Sequence, residues 1–329
     1  MSNFAAMRPE IAELPKPEVI DVAALAKAYA SGEIDLICVL GPTASGKTKY
    51  AVRLAHELLE VSSSLNRREV TSAHQSAGRA VYFGGDKIRK GEKAAGGVGG
   101  CVIPRMEAEI ISADSRQIYR GMDIGTGKDL KEYGDVPYHL IDILPAGEKY
   151  NVYRFQQDFL AAYQDIRSRG KVPILCGGTG LYITAVTCAY DWSASVPLSE
   201  AKGAGAHAAD VAGGANGTAL EGLPQRTFFI GTLVTREERN ARIDRRLDER
   251  LAEGMVDEIR GLLESGVPAE RLISYGLEYR YVTLYLLGEL TYDQMRQKLA
   301  IEIHRFAKRQ MTWCRGMERA GIKIHWTNV

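Results

Sequence analysis

One short stretch limits what this chain can fold into: Gly41-Pro42-Thr43-Ala44-Ser45-Gly46-Lys47-Thr48. It fits G-x-x-x-x-G-K-[ST] at every position. The apolar run Leu36–Leu40 just before it reads as a buried strand, and the spacing over 47–60 predicts a helix. Strand, glycine turn and helix in that order give the motif its meaning. Glycines let backbone N–H groups turn inward around an anion, and the helix N-terminus adds a favourable dipole. Lys47 would give a point charge to the terminal phosphate, and the Thr48 hydroxyl could ligate Mg²⁺. The motif specifies a diphosphate or triphosphate and does not separate kinase, ATPase or transferase. No apolar run ending in paired acids follows, which weakens the motor-ATPase reading.

The rest of the chain alternates. Further strands are predicted at Ala108–Ser112, His139–Leu144, Val172–Cys176 and Thr227–Leu233, and helices at 20–31, 152–168, 180–188, 235–265 and 291–320. Such alternation implies an α/β fold: a P-loop NTPase-like parallel sheet with flanking helices and a helical C-terminal region. We divide the chain into an N-terminal extension, 1–34, and a P-loop domain, 35–329. Within it, 61–106 is rich in Ser, Gly, Lys and Arg without sustained period, and reads as a flexible insertion. Residues 199–224 are dominated by Gly and Ala and read as a linker.

Charge and cysteine narrow the class. The 329 residues carry a formal net charge of only +1, so any nucleic-acid surface must come from local clustering. The cysteines Cys38, Cys101, Cys176, Cys188 and Cys314 form no C-x-x-C pair, which argues for a reducing compartment and against a zinc site. The first residues have early acids and prolines and no apolar core, unlike a signal peptide, and the apolar runs are strand-sized. The expectation is a soluble, cytoplasmic monomer.

Four other features could carry chemistry. Asp114 follows the strand AEIIS, at the strand end that faces ligands in open α/β sheets; it could bind a metal, act as a base, or simply cap a turn. Gly177-Gly178-Thr179-Gly180 makes a second glycine turn at the same edge. Arg239, Arg242, Arg246 and Arg250 recur at three- and four-residue spacing, as a solvated face balanced by acids or as a clamp over a leaving diphosphate. The stretch from His304 to Arg315 interleaves cations with Phe306 and Trp313, suited to gripping phosphates and stacking on a base, or else to an amphipathic helix with its aromatics in the core.

Together the segments GPTASGKT (41–48), EIISADSRQIYRGMDIGTGK (109–128), VPYHLIDIL (136–144), Tyr153 to Phe159, VPILCGGTGLYI (172–183), the RIDRR helix (242–246), GLEYRYV (276–282) and FAKRQMTWCRGME (306–318) resemble the tRNA dimethylallyltransferase (isopentenyltransferase) family. They come in family order over more than half the chain. The resemblance implies that Gly41, Pro42, Thr43, Ala44, Ser45, Gly46, Lys47 and Thr48 hold the diphosphate of dimethylallyl diphosphate, with Thr48 and Mg²⁺ assisting the leaving group. Arg246 matches the family's catalytic arginine. Asp114 matches the acid that takes a proton from the N6 amine of adenosine 37, next to the anticodon, which is flipped out to reach the donor. By the same matching, Asp114, Ser115, Arg116, Gln117, Thr179, Tyr279, Arg280, Lys308, Arg309, Gln310, Trp313 and Arg315 contact tRNA.

Two departures stand out. The family passes directly from its P-loop helix to EIISADS, where this chain has 61–106. The family also carries a helical insertion with an arginine-bearing tRNA-contacting motif between GGTGLY and FFIGT. Here that domain reads as truncated, with Ala219-Leu220-Glu221 as a remnant at most. Two alternatives therefore stay open: prenyl transfer to free adenine nucleotides, and a P-loop nucleotide kinase with the arginine helix as its lid.

Overall fold

The computed structural model describes residues 15–77, 103–187 and 221–329. The Gly/Ala run up to residue 220 and the expected truncation of the insertion domain therefore lie outside the described residues, as do Cys101 and Cys188.

Six strands form one sheet in which every pairing is parallel. In chain order they are β1 (Leu36–Leu40), β2 (Ala108–Ser112), β4 (Tyr138–His139), β6 (Val172–Gly177), β7 (Thr227–Leu233) and β8 (Ile324–Asn328), arranged β4-β2-β6-β1-β7-β8. A two-stranded ladder, β3 (Tyr119–Arg120) with β5 (Leu144–Pro145), stands apart. β1 shows why both faces must be covered. Leu36, Cys38 and Leu40 enter one core cluster, Ile37 and Val39 the other, and all are buried. Helices α1 (Val22–Ala30) and α2 (Lys47–Ala77) fill the second face. The first is covered by α3 (Val152–Ser168), α4 (Gly180–Thr187) and the C-terminal helices: α5 (Arg236–Glu253), α6 (Met255–Glu264), α7 (Ala269–Ser274), α8 (Leu277–Leu286) and α9 (Tyr292–Arg319).

Several boundaries differ from the sequence reading. Helix α1 buries Leu25 and Ala26 in the same cluster as α2, so from Val22 onward the 1–34 segment belongs to the domain. The expected flexible insertion is helical as far as Ala77. Its serines are satisfied by bonding back along the helix, Ser63 to Leu59 O and Ser64 to Val61 O, and Ser62 Oγ accepts the Met106 N–H at 3.0 Å. At its other end Ile103 and Met106 are core residues. The predicted strand His139–Leu144 is broken because Leu140 (φ 62°) and Asp142 (φ 56°) turn left-handed, leaving β4 and β5 in different sheets. The helix expected over 235–265 is two, split at Gly254 (φ 105°). Among the described residues no helix is long and apolar enough to cross a membrane.

Candidate active site

Strands β2, β6 and β1 are neighbours, so the loops leaving their carboxyl ends open on one crevice. The chain after β1 passes to α2 on one face and the chain after β6 to α4 on the other. Such divergence makes the switch point at which open α/β sheets bind ligands.

The loop 41–48 is shaped by backbone and packing. Ala44 (φ 61°) and Gly46 (φ 81°) are left-handed. A Cβ on Gly41 would stand 2.3 Å from Thr232 Oγ1, so only glycine fits. From inside the sheet, Ser45 Oγ shares a 2.6 Å hydrogen bond with Thr232 Oγ1; the Ser45 hydroxyl is therefore committed to the fold rather than offered to a ligand. From outside, Thr43 N–H donates to Gln310 Oε1 at 2.7 Å. Lys47 is half-buried and its Nζ lies 3.4 Å from Pro42 O. Burial draws its ammonium below the usual range; Cys176 and the Asp114 carboxylate oppose this, and Arg246 and Arg116 add to it. The groups that sequence reading assigned to the chemistry thus act on one another electrostatically. Cys176, beneath the loop, is pushed up to about 12 by burial, and its sulfur also meets the Thr48 hydroxyl.

The segment 112–129 is held by charge. Asp114 Oδ1 accepts the Arg116 N–H at 2.9 Å, an Asx turn that fixes the carboxylate on its loop. Ser115 N–H donates to Thr179 Oγ1 at 3.1 Å, joining this loop to the second glycine turn. Arg116 forms a close ion pair with Glu278, the two side chains only 14% and 4% exposed. Burial alone would lower the guanidinium, but Glu278 and Asp114 outweigh it and hold it above its usual range. Gln117 Nε2 donates to Gly127 O at 3.3 Å. Farther along, Lys128 is buried with its ammonium on Tyr119 O (2.6 Å), Asp123 (2.6 Å) and Asp142. The N–H groups of Asp123, Ile124 and Gly125 all donate to the Glu258 carboxylate, at 2.8, 2.6 and 3.1 Å.

Sequence comparison decides the family. The IPP transferase family model matches residues 117–218 and 203–317. The chain is 40% identical over 336 residues to tRNA dimethylallyltransferase 1 of Azobacteroides pseudotrichonymphae genomovar. CFP2, covering 90% of this chain and 94% of the relative. It is 41% identical over 338 residues to tRNA dimethylallyltransferase 1 of Parabacteroides distasonis, covering 90% and 92%. The chain belongs to the tRNA dimethylallyltransferase family. Its fold is also that of the crystal structure of the full-length tRNA isopentenylpyrophosphate transferase from Bacillus halodurans, at 27% identity, TM-score 0.61 and 89% coverage of each chain.

Within this tRNA dimethylallyltransferase-family fold, the arginine helix is neither a plain solvated face nor a four-residue clamp. Arg239 is buried with its Nε unpartnered. Arg242 pairs with Glu238 one turn back at 2.5 Å. Arg246 crosses to Asp129, and Arg250 lies under Gly127, where a Cβ would meet its Nη2 at 1.7 Å. Burial and the neighbouring Arg246 push Arg250 below its usual range.

On α9, Ala307, Met311 and Cys314 face the core, while Lys308, Arg309 and Trp313 are exposed. Trp313 is not a core residue; it is 38% exposed and lies over Gly180, where a Cβ would come within 2.3 Å of its ring. Phe306 is half-buried, with Arg116 and Arg309 each 5.8 Å from its ring centre. Arg280 is exposed beside Tyr281, 5.9 Å from its ring. Two residues matched to RNA contacts are bonded to other parts of the protein. Tyr279 is fully buried, its hydroxyl donating to Glu258 at 2.7 Å, because its ring closes against Gly125. Gln310 turns onto the phosphate loop. Sequence reading assigned no role to Glu258, Glu278, Lys128, Asp129 or Thr232. Glu278 and Lys128 sit in the motifs GLEYRYV and GTGK, the one available hint.

Proposed function

We propose that this chain moves a dimethylallyl group from dimethylallyl diphosphate to the N6 amine of adenosine 37, next to the anticodon of a tRNA, releasing diphosphate. The observation that carries the reading is that neighbouring strands bring Asp114, after β2, and the loop 41–48, after β1, to one switch-point crevice, the two joined through the Gly177–Gly180 turn by the Ser115–Thr179 and Gln310 bonds. The relatives' names supply the reaction class.

The loop N–H groups and Lys47 bind the donor diphosphate. An anion there returns to Lys47 the favourable environment that burial removes. The adenine N6 attacks the allylic carbon, the carbon–oxygen bond to diphosphate breaks, and Asp114 accepts the amine proton. Arg246 gives its guanidinium to the departing charge. Among the described residues no group of three His, Cys, Asp or Glu side chains could hold a metal by itself. The Thr48 hydroxyl at the loop fits Mg²⁺ that arrives with a diphosphate, since this ion keeps most ligands as water and phosphate. When bound it would neutralise charge on the leaving group.

Lys308, Arg309, Arg315 and Arg280 are the proposed phosphate contacts and Trp313 the proposed stacking surface, with Ser115 and Thr179 at the entrance. Asp114, Lys47 and Arg246 come from one chain, so a monomer suffices. A tRNA substrate sets its work in the cytoplasm.

The test offers dimethylallyl diphosphate with tRNA and with AMP, and ATP with AMP, to the wild type and to Asp114→Asn. Prenylated tRNA is expected only from the first pair. Asp114→Asn should lose on the order of a hundredfold in turnover while still binding the donor. Phosphorylated AMP would replace the proposal with a kinase; prenylated AMP would replace the acceptor.

A further inference from the structure

Gln310, on α9, bonds with both glycine loops of the crevice. Its Oε1 accepts Thr43 N–H from the phosphate loop at 2.7 Å, and its Nε2 donates to Gly178 O, after β6, at 2.9 Å. The orientation of the amide is forced. Thr43 N–H can only donate and Gly178 O can only accept, so exchanging oxygen and nitrogen would break both bonds. The space is also made for it: a Cβ at Gly178 would stand 2.3 Å from Gln310 Nε2 and 3.2 Å from Gly41 O. One helical turn on, Trp313 rests on Gly180. The flanking Lys308 and Arg309 are exposed, but Gln310 is half-buried.

We infer that Gln310 is a positioning residue for the donor diphosphate, not a contact for tRNA. Its amide closes the outer side of the loop 41–48 as Thr232 closes the inner side, and so fixes the spacing between the phosphate loop and the Gly177–Gly180 turn. The inference rests on the reading of 41–48 as a diphosphate loop. It adds a mechanical connection: the helix carrying the cations proposed for tRNA is bonded directly to the loop proposed for the donor.

The experiment measures binding of inorganic pyrophosphate, dimethylallyl diphosphate and tRNA, each alone, to the wild type, Gln310→Ala and Gln310→Glu. Two hydrogen bonds are lost in Gln310→Ala, so both diphosphates should bind roughly tenfold more weakly. Affinity for tRNA alone should stay within about twofold. Gln310→Glu keeps the acceptor for Thr43 N–H but sets a carboxylate against Gly178 O and near the diphosphate. It should be at least as weak near neutral pH. It should recover relative to wild type as pH falls through the carboxyl range, because a protonated acid can again donate to Gly178 O. A merely structural defect gives no such recovery.

Loss of tRNA affinity with diphosphate binding intact would overturn the inference, as would unchanged diphosphate binding in Gln310→Ala. If the wild type binds pyrophosphate but gains nothing from the allylic tail, and Gln310→Ala still weakens pyrophosphate, the donor assignment fails and the positioning role stands.

Discussion

The two loops that meet at the crevice are built on opposite principles. The loop 41–48 is held by backbone conformation and neutral bonds: left-handed Ala44 and Gly46, the Ser45–Thr232 hydroxyl pair and the Gln310 amide. The segment 112–129 is held by charge: Arg116 on Glu278, Lys128 between Asp123 and Asp142, and three N–H groups on Glu258. The contrast suits their tasks. A cradle for an anion is better made from dipoles than from fixed charges that would pair with one another. A loop that must present the Asp114 carboxylate needs an exact position, and ion pairs with few alternative geometries give one.

The sharpest way to break this comparison is to remove a charge from the second loop. Glu278→Leu leaves Arg116 buried without its partner and should cost about 3–5 kcal/mol of folding stability by chemical denaturation. A cost no larger than that of a neutral loop substitution would mean that Arg116 finds water, and the distinction would fall. Glu258→Gln keeps one acceptor oxygen but loses the charge that three N–H groups share, so about 1–2 kcal/mol is expected. Its effect should appear as faster hydrogen exchange at 123–125 before global unfolding.

The smallest effect should come from the phosphate loop. Ser45→Ala removes a neutral bond while Thr232 retains Leu40 O at 3.4 Å, so about 1 kcal/mol or less is expected from thermal melts. A loss above that of Glu258→Gln would show that the loop is braced by its hydroxyls more than by its conformation.

The same contrast explains what could be read in advance. The phosphate loop is a local object: its strand, turn, glycines and helix occupy consecutive residues, and each leaves its mark in order. The sheet followed for the same reason, because strands buried on both faces are continuous apolar runs. Asp114 could be seen as the residue after a strand, but its supports could not, since Glu258 and Glu278 lie far along the chain and look like ordinary surface acids of amphipathic helices. Motif matching gave Tyr279 and Gln310 as site residues but could not say which way they face: one is buried against Glu258, the other bonds to both glycine loops. The break at Leu140 and Asp142 was hidden because Leu140, inside an apolar run, is not a residue type that favours a left-handed turn. Strand β8 was missed because its pattern, Ile324 to Asn328, is short and half polar, and only pairing with β7 makes it a strand.

Cys176 has a consequence of a different kind. Its thiol is buried at the end of β6, against Thr48 and under the electrostatic influence of Lys47, and is pushed up to about 12. Alkylating and oxidising reagents act on thiolates, so while the loop is closed this sulfur is chemically silent at physiological pH. An opening of the phosphate loop at Thr48 would lift one of its covers, so labelling of this sulfur would be sensitive to that opening.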